Sequence, residues 1–345
     1  MAELFESLPF ENLYWSQMET LPRTELRALQ LERLRRTVER VHELPMYRDF
    51  FAQNPVSDAD FQEPEDVMKL PFTTLADLRE QYPSGLWTVP RHMIARVAIQ
   101  NGFATAFTRQ DMDAQADTVA RFLYADGVRS NSLVQISHAF GRSGMAFALQ
   151  TGVDTIGAAS VPATNEIYAQ PRNSETGFVT GDSVGETLDE TLTFLETFRV
   201  ETLCADAEVV LALCSHAHET GRKMTLRMVH TPATANGIAL RYLLQKDYGL
   251  KVFLNWAHPA FYGAGMAGEC YLQDGMHLQE DRFWFELLSP ETLLPVPDNT
   301  PGELVVTDLS HEAQSLLRFR TGTLAVMNST PCPCGRTGRR IQILR

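Results

Sequence analysis

Positive charge is scarce in this chain. Thirty lysine and arginine residues stand against 43 aspartate and glutamate residues, a formal net charge of -13 over 345 residues. Such a surface repels phosphate backbones and anionic headgroups, which argues against nucleic-acid or membrane-surface partners. Nucleotide binding stays open, because a few local donors suffice for it. Long apolar runs are also missing: none reaches the roughly 20 residues of a spanning helix. The start, Met1-Ala2-Glu3-Leu4-Phe5-Glu6, is acidic and lacks the basic and apolar parts of a signal peptide, so a cytoplasmic protein is expected. Cysteines number only five, Cys204, Cys214, Cys270, Cys332 and Cys334, and an odd count argues against a disulfide framework. Clustered cysteines are then metal-ligand candidates. There is no internal repeat and no low-complexity segment.

With 44% apolar residues, the chain can bury a sizeable core. Residues 23–42 read as an amphipathic helix, with Leu31, Leu34, Val38 and Val41 at helical spacing and Pro22 and Pro45 at its ends. From about 95 to 255, strand and helix signals alternate. Strands are expected at 94–99, 133–136, 158–161, 201–204 and 251–254, and helices at 111–125, 145–151, 186–198, 206–219 and 237–247. Alternation of that kind implies a parallel sheet with helices packed on its faces. After residue 255 the pattern becomes strand, loop and strand, with strands at 283–288 and 303–307, which implies an antiparallel part. Cys204 and Cys214 sit in apolar stretches and read as core thiols. His216 and His218 lie two apart on a helix, so they do not share a face.

The sharpest chemical signal is Cys332-Pro333-Cys334-Gly335. Two thiolates one residue apart can bind one ion from a tight turn, and zinc prefers four nitrogen or sulfur donors. Cys270 and His277, flanking a turn at Asp274-Gly275, complete a Cys3His set; His258 competes for the fourth place. The alternative is ordinary loop cysteines with a surface histidine. A closed four-ligand site would staple two loops and leave no position open for catalysis.

Several phrases, in order, resemble the phenylacetate–CoA ligase branch of the adenylate-forming enzymes. Leu44-Pro45-Met46-Tyr47-Arg48 is similar to its S-P-F-Y-R, and Leu70-Pro71-Phe72-Thr73-Thr74 with Asp77-Leu78-Arg79 to its L-P-F-T-T-K-x-D-L-R. Asp274-Gly275-Met276-His277 with Glu280-Asp281 matches D-G-x-H-x-x-E-D, and Pro301-Gly302-Glu303-Leu304-Val305-Val306-Thr307 resembles E-G-E-L-V-F-T. Arg318-Phe319-Arg320-Thr321 and Cys332-Pro333-Cys334-Gly335-Arg336 match R-Y-R-T-x-D and C-x-C-G-R. The resemblance implies an α/β fold, a helix-flanked parallel sheet plus a smaller antiparallel β-rich part. It divides the chain into a helical segment (1–95), an α/β subdomain (96–255) and a β-rich subdomain with zinc-binding loops (256–345). Some relatives hold a structural zinc at positions matching Cys270, His277, Cys332 and Cys334.

The family makes an acyl-adenylate from ATP and a carboxylate, then an acyl-CoA thioester. Here the resemblance breaks at the parts that handle ATP. The family's S-S-G-T-T-G-x-P phosphate loop corresponds to 96–108, which is shorter and keeps one glycine, Gly102. The family's Y-G-x-T-E corresponds to Trp256-Ala257-His258-Pro259-Ala260: an aromatic survives, but the Thr is Pro259 and the Mg²⁺-holding Glu is Ala260. The ribose-binding Asp is Thr323. The chain stops at Arg345, so the lid domain and its lysine are expected to be absent. Ser137-His138-Ala139-Phe140-Gly141-Arg142 falls where relatives have an aromatic-glycine loop beside the acyl pocket. The expectation is therefore a degenerate ligase, with zinc as structural cofactor. It would act as scaffold or as binder of a small aryl or acyl ligand, with a protein partner or homodimer. Vestigial nucleotide or substrate positions are Phe140, Gly141, Trp256, Ala257, His258, Arg320 and Thr323. The alternative is a working ligase with a rebuilt phosphate loop, which would need ATP, Mg²⁺ and CoA.

Overall fold

A computed structural model describes residues 13–163, 167–168, 186–261 and 263–344. The Met1–Glu6 stretch and Arg345 lie outside them. In chain order come α1 (Arg23–Val41), α2 (Pro45–Gln53), α3 (Leu75–Glu80), β1 (Arg96–Gln100), β2 (Phe103–Phe107) and α4 (Arg109–Ala125). Next are β3 (Leu133–Ser137), α5 (Met145–Ile156), β4 (Ala159–Pro162), β5 (Ile167–Tyr168), β6 (Glu186–Thr187), α6 (Leu188–Phe198) and β7 (Thr202–Ala205). Then follow α7 (Ala207–Glu219), β8 (Met228–Pro232), α8 (Ala235–Tyr248), β9 (Lys251–Trp256), β10 (Ala267–Gly268) and β11 (Met276–Leu278). The chain closes with β12 (Phe283–Leu288), β13 (Gly302–Asp308), β14 (Phe319–Asn328) and β15 (Arg340–Ile343).

One eleven-stranded sheet carries the molecule, in the order β12-β13-β14-β15-β11-β10-β9-β8-β7-β3-β4. Strands β4, β3, β7, β8 and β9 are parallel, and from β9 to β12 every pairing is antiparallel. The change of texture near residue 255 thus falls inside a continuous sheet. Parallel strands are buried on both faces, which is why β7 (Thr-Leu-Cys-Ala) reads as an unbroken buried run. Cys204 and Cys214 lie in the core, and burial pushes both thiols up to about 12.

Two expectations shift. The strand at 94–99 forms as β1, yet it pairs only with β2, in a separate two-stranded hairpin. The helix expected at 145–151 runs on to Ile156, ending where Gly157 takes a positive φ of 80°.

Helices are started by side chains that accept the first free amide. Thr108 and Asp111 form a capping box on α4, Thr187 and Glu190 on α6, and Thr74 and Asp77 on α3. Buried carboxylates take arginines from the N-terminal segment, α4 and the stretch before β15. Glu280 takes Arg23 at 2.6 Å and Arg339 at 2.7 Å, Asp281 takes Arg121 at 2.7 Å, and Glu19 takes Arg336 at 2.6 Å. Burial would push the Glu280 and Asp281 carboxyls up, but the surrounding arginines hold both below their ordinary values.

Helices α4 and α5 pack closely because Gly152 leaves room for Val119. A Cβ on residue 152 would lie 2.3 Å from Val119 Cγ1 and 2.6 Å from Val119 Cβ. Gly152→Ala is therefore expected to cost about 1–3 kcal/mol in urea unfolding, with Val119→Ala recovering part of the loss. An unchanged midpoint for Gly152→Ala would contradict this packing.

Candidate functional site

The segment at the phosphate-loop position is a closed hairpin. Residues 96–100 pair directly with 107–103, and only Asn101 and Gly102 lie between the strands. Both have positive φ, 52° and 82°, the conformation a two-residue hairpin turn of this twist demands and Asn-Gly supplies at low cost. In such a ladder alternate backbone groups face their partner strand, and the others point outward. Here four of the outward groups are also taken. The Ile99 amide donates to Arg142 O at 2.7 Å, and the Ala106 amide to Gln314 Oε1 at 3.3 Å. Ala104 O accepts from Gln314 Nε2 at 3.2 Å, and Ala106 O from His311 Nε2 at 2.7 Å. Arg79 Nε reaches the Asn101 carbonyl at 3.0 Å, holding the turn itself.

His311 latches the hairpin to α4. Its ring is fully buried, with Nδ1 3.3 Å from Asp308 and Nε2 3.5 Å from Asp111. Asp111 in turn accepts the Glu312 and Ala313 amides at 2.6 and 3.0 Å. Burial alone would lower the His311 pKa. Asp111, Asp308 and the Ala106 carbonyl outweigh it and hold the pKa above the ordinary value.

The segment that faces phosphates in the resembling family lies against this hairpin. Thr105 Oγ1 donates to the Pro259 carbonyl at 3.0 Å. Trp256 is buried at the end of β9, within the core cluster. Ala257 is partly buried and packs against the same cluster. His258 packs on Phe319, ring centroids 5.0 Å apart, and its Nδ1 accepts the Ala260 amide at 3.2 Å. Burial drives His258 down to about 4, so its ring is neutral at neutral pH. Ala260, at the position of the metal-holding glutamate, is completely buried among apolar side chains. Arg320 is already paired with Glu303 at 2.6 Å, and the Thr323 amide donates to Thr321 Oγ1 at 3.1 Å. Phe140 and Gly141 lie on the loop after β3, where Phe140 packs edge-on against Phe147. His138 is buried and Arg142 exposed, so the two do not form one anion clamp. His216 is held by Asp189 at 2.9 Å.

A second centre lies among the β-rich strands. The ligand atoms of Cys270, His277, Cys332 and Cys334 all lie within 4.8 Å of one another, and all four residues are buried. His258 is not in this group. Cys270 and Cys332 sulfurs are 4.0 Å apart, and Cys334 Sγ is 3.4 Å from His277 Nε2. A tetrahedral zinc, with Zn–S about 2.3 Å and Zn–N about 2.0–2.1 Å, requires S···S near ~3.8 Å and S···N near ~3.6 Å. The donor set fits one such ion. His277 Nδ1 donates to Gly338 O at 3.3 Å, which leaves Nε2 free to face the sulfurs. Hydrogen bonding from Cys270, assisted by His277, pulls Cys334 strongly down, the state a metal ligand needs. Tyr14 OH donates to Cys334 O at 2.8 Å and would lie 2.2 Å from a Cβ on Gly335, whose φ is 86°. Only glycine allows that approach. The supporting residues Tyr14, Gly338 and His311 carried no sequence signal, whereas Arg336 stood in the C-x-C-G-R phrase.

No family model matches the chain. Its overall fold is that of the adenylate-forming CoA ligases. An open form of 2-hydroxyisobutyryl-CoA ligase, in complex with 2-HIB-AMP and CoA, superposes with a TM-score of 0.83 at 22% identity, covering 97% of this chain and 78% of that one. The phenylacetate–coenzyme A ligase of Thermus thermophilus is 30% identical over 339 residues, 95% of this chain and 72% of that protein. Those of Aromatoleum evansii and Escherichia coli are 28% and 27% identical, over 94% and 89% of this chain and 71% and 68% of theirs. The chain belongs to the phenylacetate–CoA ligase family.

Because His311 has a raised pKa in the fold, its stabilisation is fully present below its unfolded value of about 6.5 and is lost as pH rises through the folded value. Thermal unfolding should therefore show a midpoint that falls as pH rises above about 6.5, with a clearly smaller fall in His311→Gln. Equal slopes in the two proteins would contradict the latch.

Proposed function

We propose that this chain is a ligase-fold protein that no longer adenylates, serving as a zinc-stapled scaffold or as a binder of a small acyl or aryl ligand. The carrying observation is the hairpin at 96–107. A phosphate loop works by keeping backbone donors unpaired until a nucleotide arrives. In this chain those groups bond to one another, to Arg142, to Gln314 and to His311. Thr105 hydrogen-bonds the Pro259 carbonyl, tying the hairpin to the stretch that matches the family's Y-G-x-T-E. The buried Ala260 offers no oxygen to Mg²⁺. Zinc on Cys270, His277, Cys332 and Cys334 would join the loops at 270–277 and 332–338 without offering an open coordination position.

Family membership favours a second reading, an active phenylacetate-CoA-ligase-like enzyme with a rebuilt phosphate site. The two separate on one titration. Calorimetry with ATP·Mg²⁺ on the purified chain should show no binding tighter than about 1 mM, with about one zinc per chain in the same preparation. Micromolar binding together with pyrophosphate exchange would sink the scaffold reading. Metal content makes an independent check. Cys332→Ser, or a strong chelator, should remove the zinc and lower the thermal midpoint, because metal binding free energy is folding free energy. A metal-free protein of unchanged midpoint would exclude the staple.

A further inference from the structure

Away from the phosphate-loop side and the metal centre, the described residues form a further cleft. It lies at the opposite edge of the parallel sheet, where β3, β7, β8 and β9 begin, and encloses about 520 Å³. That volume falls within the ordinary range of small-molecule sites. Its wall carries Arg199, Arg227 and Lys251 against two carboxyls, Glu201 and Asp126. Burial pushes the Asp126 carboxyl well above the usual range. Three basic side chains against two carboxyls make the wall formally cationic in a chain of net charge -13. Beside the cations stands Phe198, 57% exposed, its ring held by Phe194 at 4.5 Å between centroids.

Basic side chains near helix C-termini often serve to cap carbonyls. Here the helix end is closed by backbone instead. The Arg199 amide donates to Glu196 O at 3.3 Å and the Val200 amide to Leu195 O at 3.0 Å. The Arg199 guanidinium has no ion pair or hydrogen bond recorded among the described residues, and Arg227 has only Glu201, at 3.6 Å with both side chains largely exposed. A surface pair of that kind contributes little. Arg199 also occupies a left-handed backbone conformation, φ 52°, where glycine is the usual residue and an arginine carries a strain cost.

We infer that this cleft binds a small planar aromatic molecule carrying a phosphate group, its ring on Phe198 and its phosphate between Arg199 and Arg227. The site is distinct from the positions matching the family's nucleotide motif, which begin at Trp256 on the C-terminal end of β9.

Phenyl phosphate and inorganic phosphate are the probes, titrated by calorimetry without magnesium. The chain should bind phenyl phosphate at least about tenfold more tightly than inorganic phosphate, since ring stacking adds to charge pairing. Phe198→Ala should bring the two affinities together. Arg199→Gly should weaken both probes about tenfold or more, and Arg227→Gln likewise. Arg199→Gly relieves the left-handed backbone, so its thermal midpoint should hold or rise. Weaker binding therefore cannot be blamed on unfolding. Unchanged affinity in Arg199→Gly, or no binding of either probe at about 10 mM, would overturn the assignment.

Discussion

Every buried backbone donor and acceptor needs a partner, and in this protein that constraint decides what the old phosphate-binding position can do. A loop that grips a triphosphate must leave its amides unsatisfied in the absence of nucleotide, which water permits only on an open, mobile segment. The chain takes the other solution. Asn101-Gly102 turns the backbone back on itself, the ladder pairs the inward groups, and Arg142, Gln314 and His311 take four of the outward ones. Opening it to receive phosphates would strand several of these groups at once, each at a cost of about 1–3 kcal/mol. The neighbouring changes fit the same choice. Pro259 presents a carbonyl to Thr105, and Ala260 fills core volume where a carboxylate would have to stay solvated.

Rigidity at the hairpin is matched on the other side of the β-rich part. The Cys3His cluster sits where β10, β11 and the 332–338 loop meet, and Tyr14, Glu19 and Arg336 tie it to the N-terminal segment. Buried ion pairs are weak evidence for net stability, since desolvation offsets much of the attraction. They do fix geometry: Glu280 and Asp281 determine how α1 and α4 lie on the sheet. The family frame is thus retained, with a paired hairpin at 96–107 on one side and buried carboxylates fixing α1 and α4 on the other.

Much of the frame was legible in the sequence, because buried parallel strands read as short apolar runs between helical patterns. Strand β8 escaped: Met228-Val229-His230-Thr231-Pro232 mixes a histidine and a proline into the run, and only the sheet shows that it pairs with β7 and β9. Strand β14 was hidden by Gly322, which takes a positive φ beside a register shift against β13. Strand β1 was visible, but not its partner, since Phe103-Ala104-Thr105-Ala106-Phe107 has no strong alternation and its role depends on Gln314 and His311, over 200 positions away. The four metal-ligand candidates were legible from cysteine spacing. Which histidine joins them was decided by β11 pairing with β15, which places His277 beside the Gly338 carbonyl, while His258 is drawn into the aromatic core.

Amide hydrogen exchange across residues 96–107, with and without ATP·Mg²⁺, tests the central claim most directly. A closed and latched hairpin predicts slow exchange at Ala98, Ile99 and Ala106, comparable to the parallel strands and unaltered by the nucleotide. Fast exchange throughout the segment that slows when ATP·Mg²⁺ is added would mean a working phosphate loop, and would contradict it.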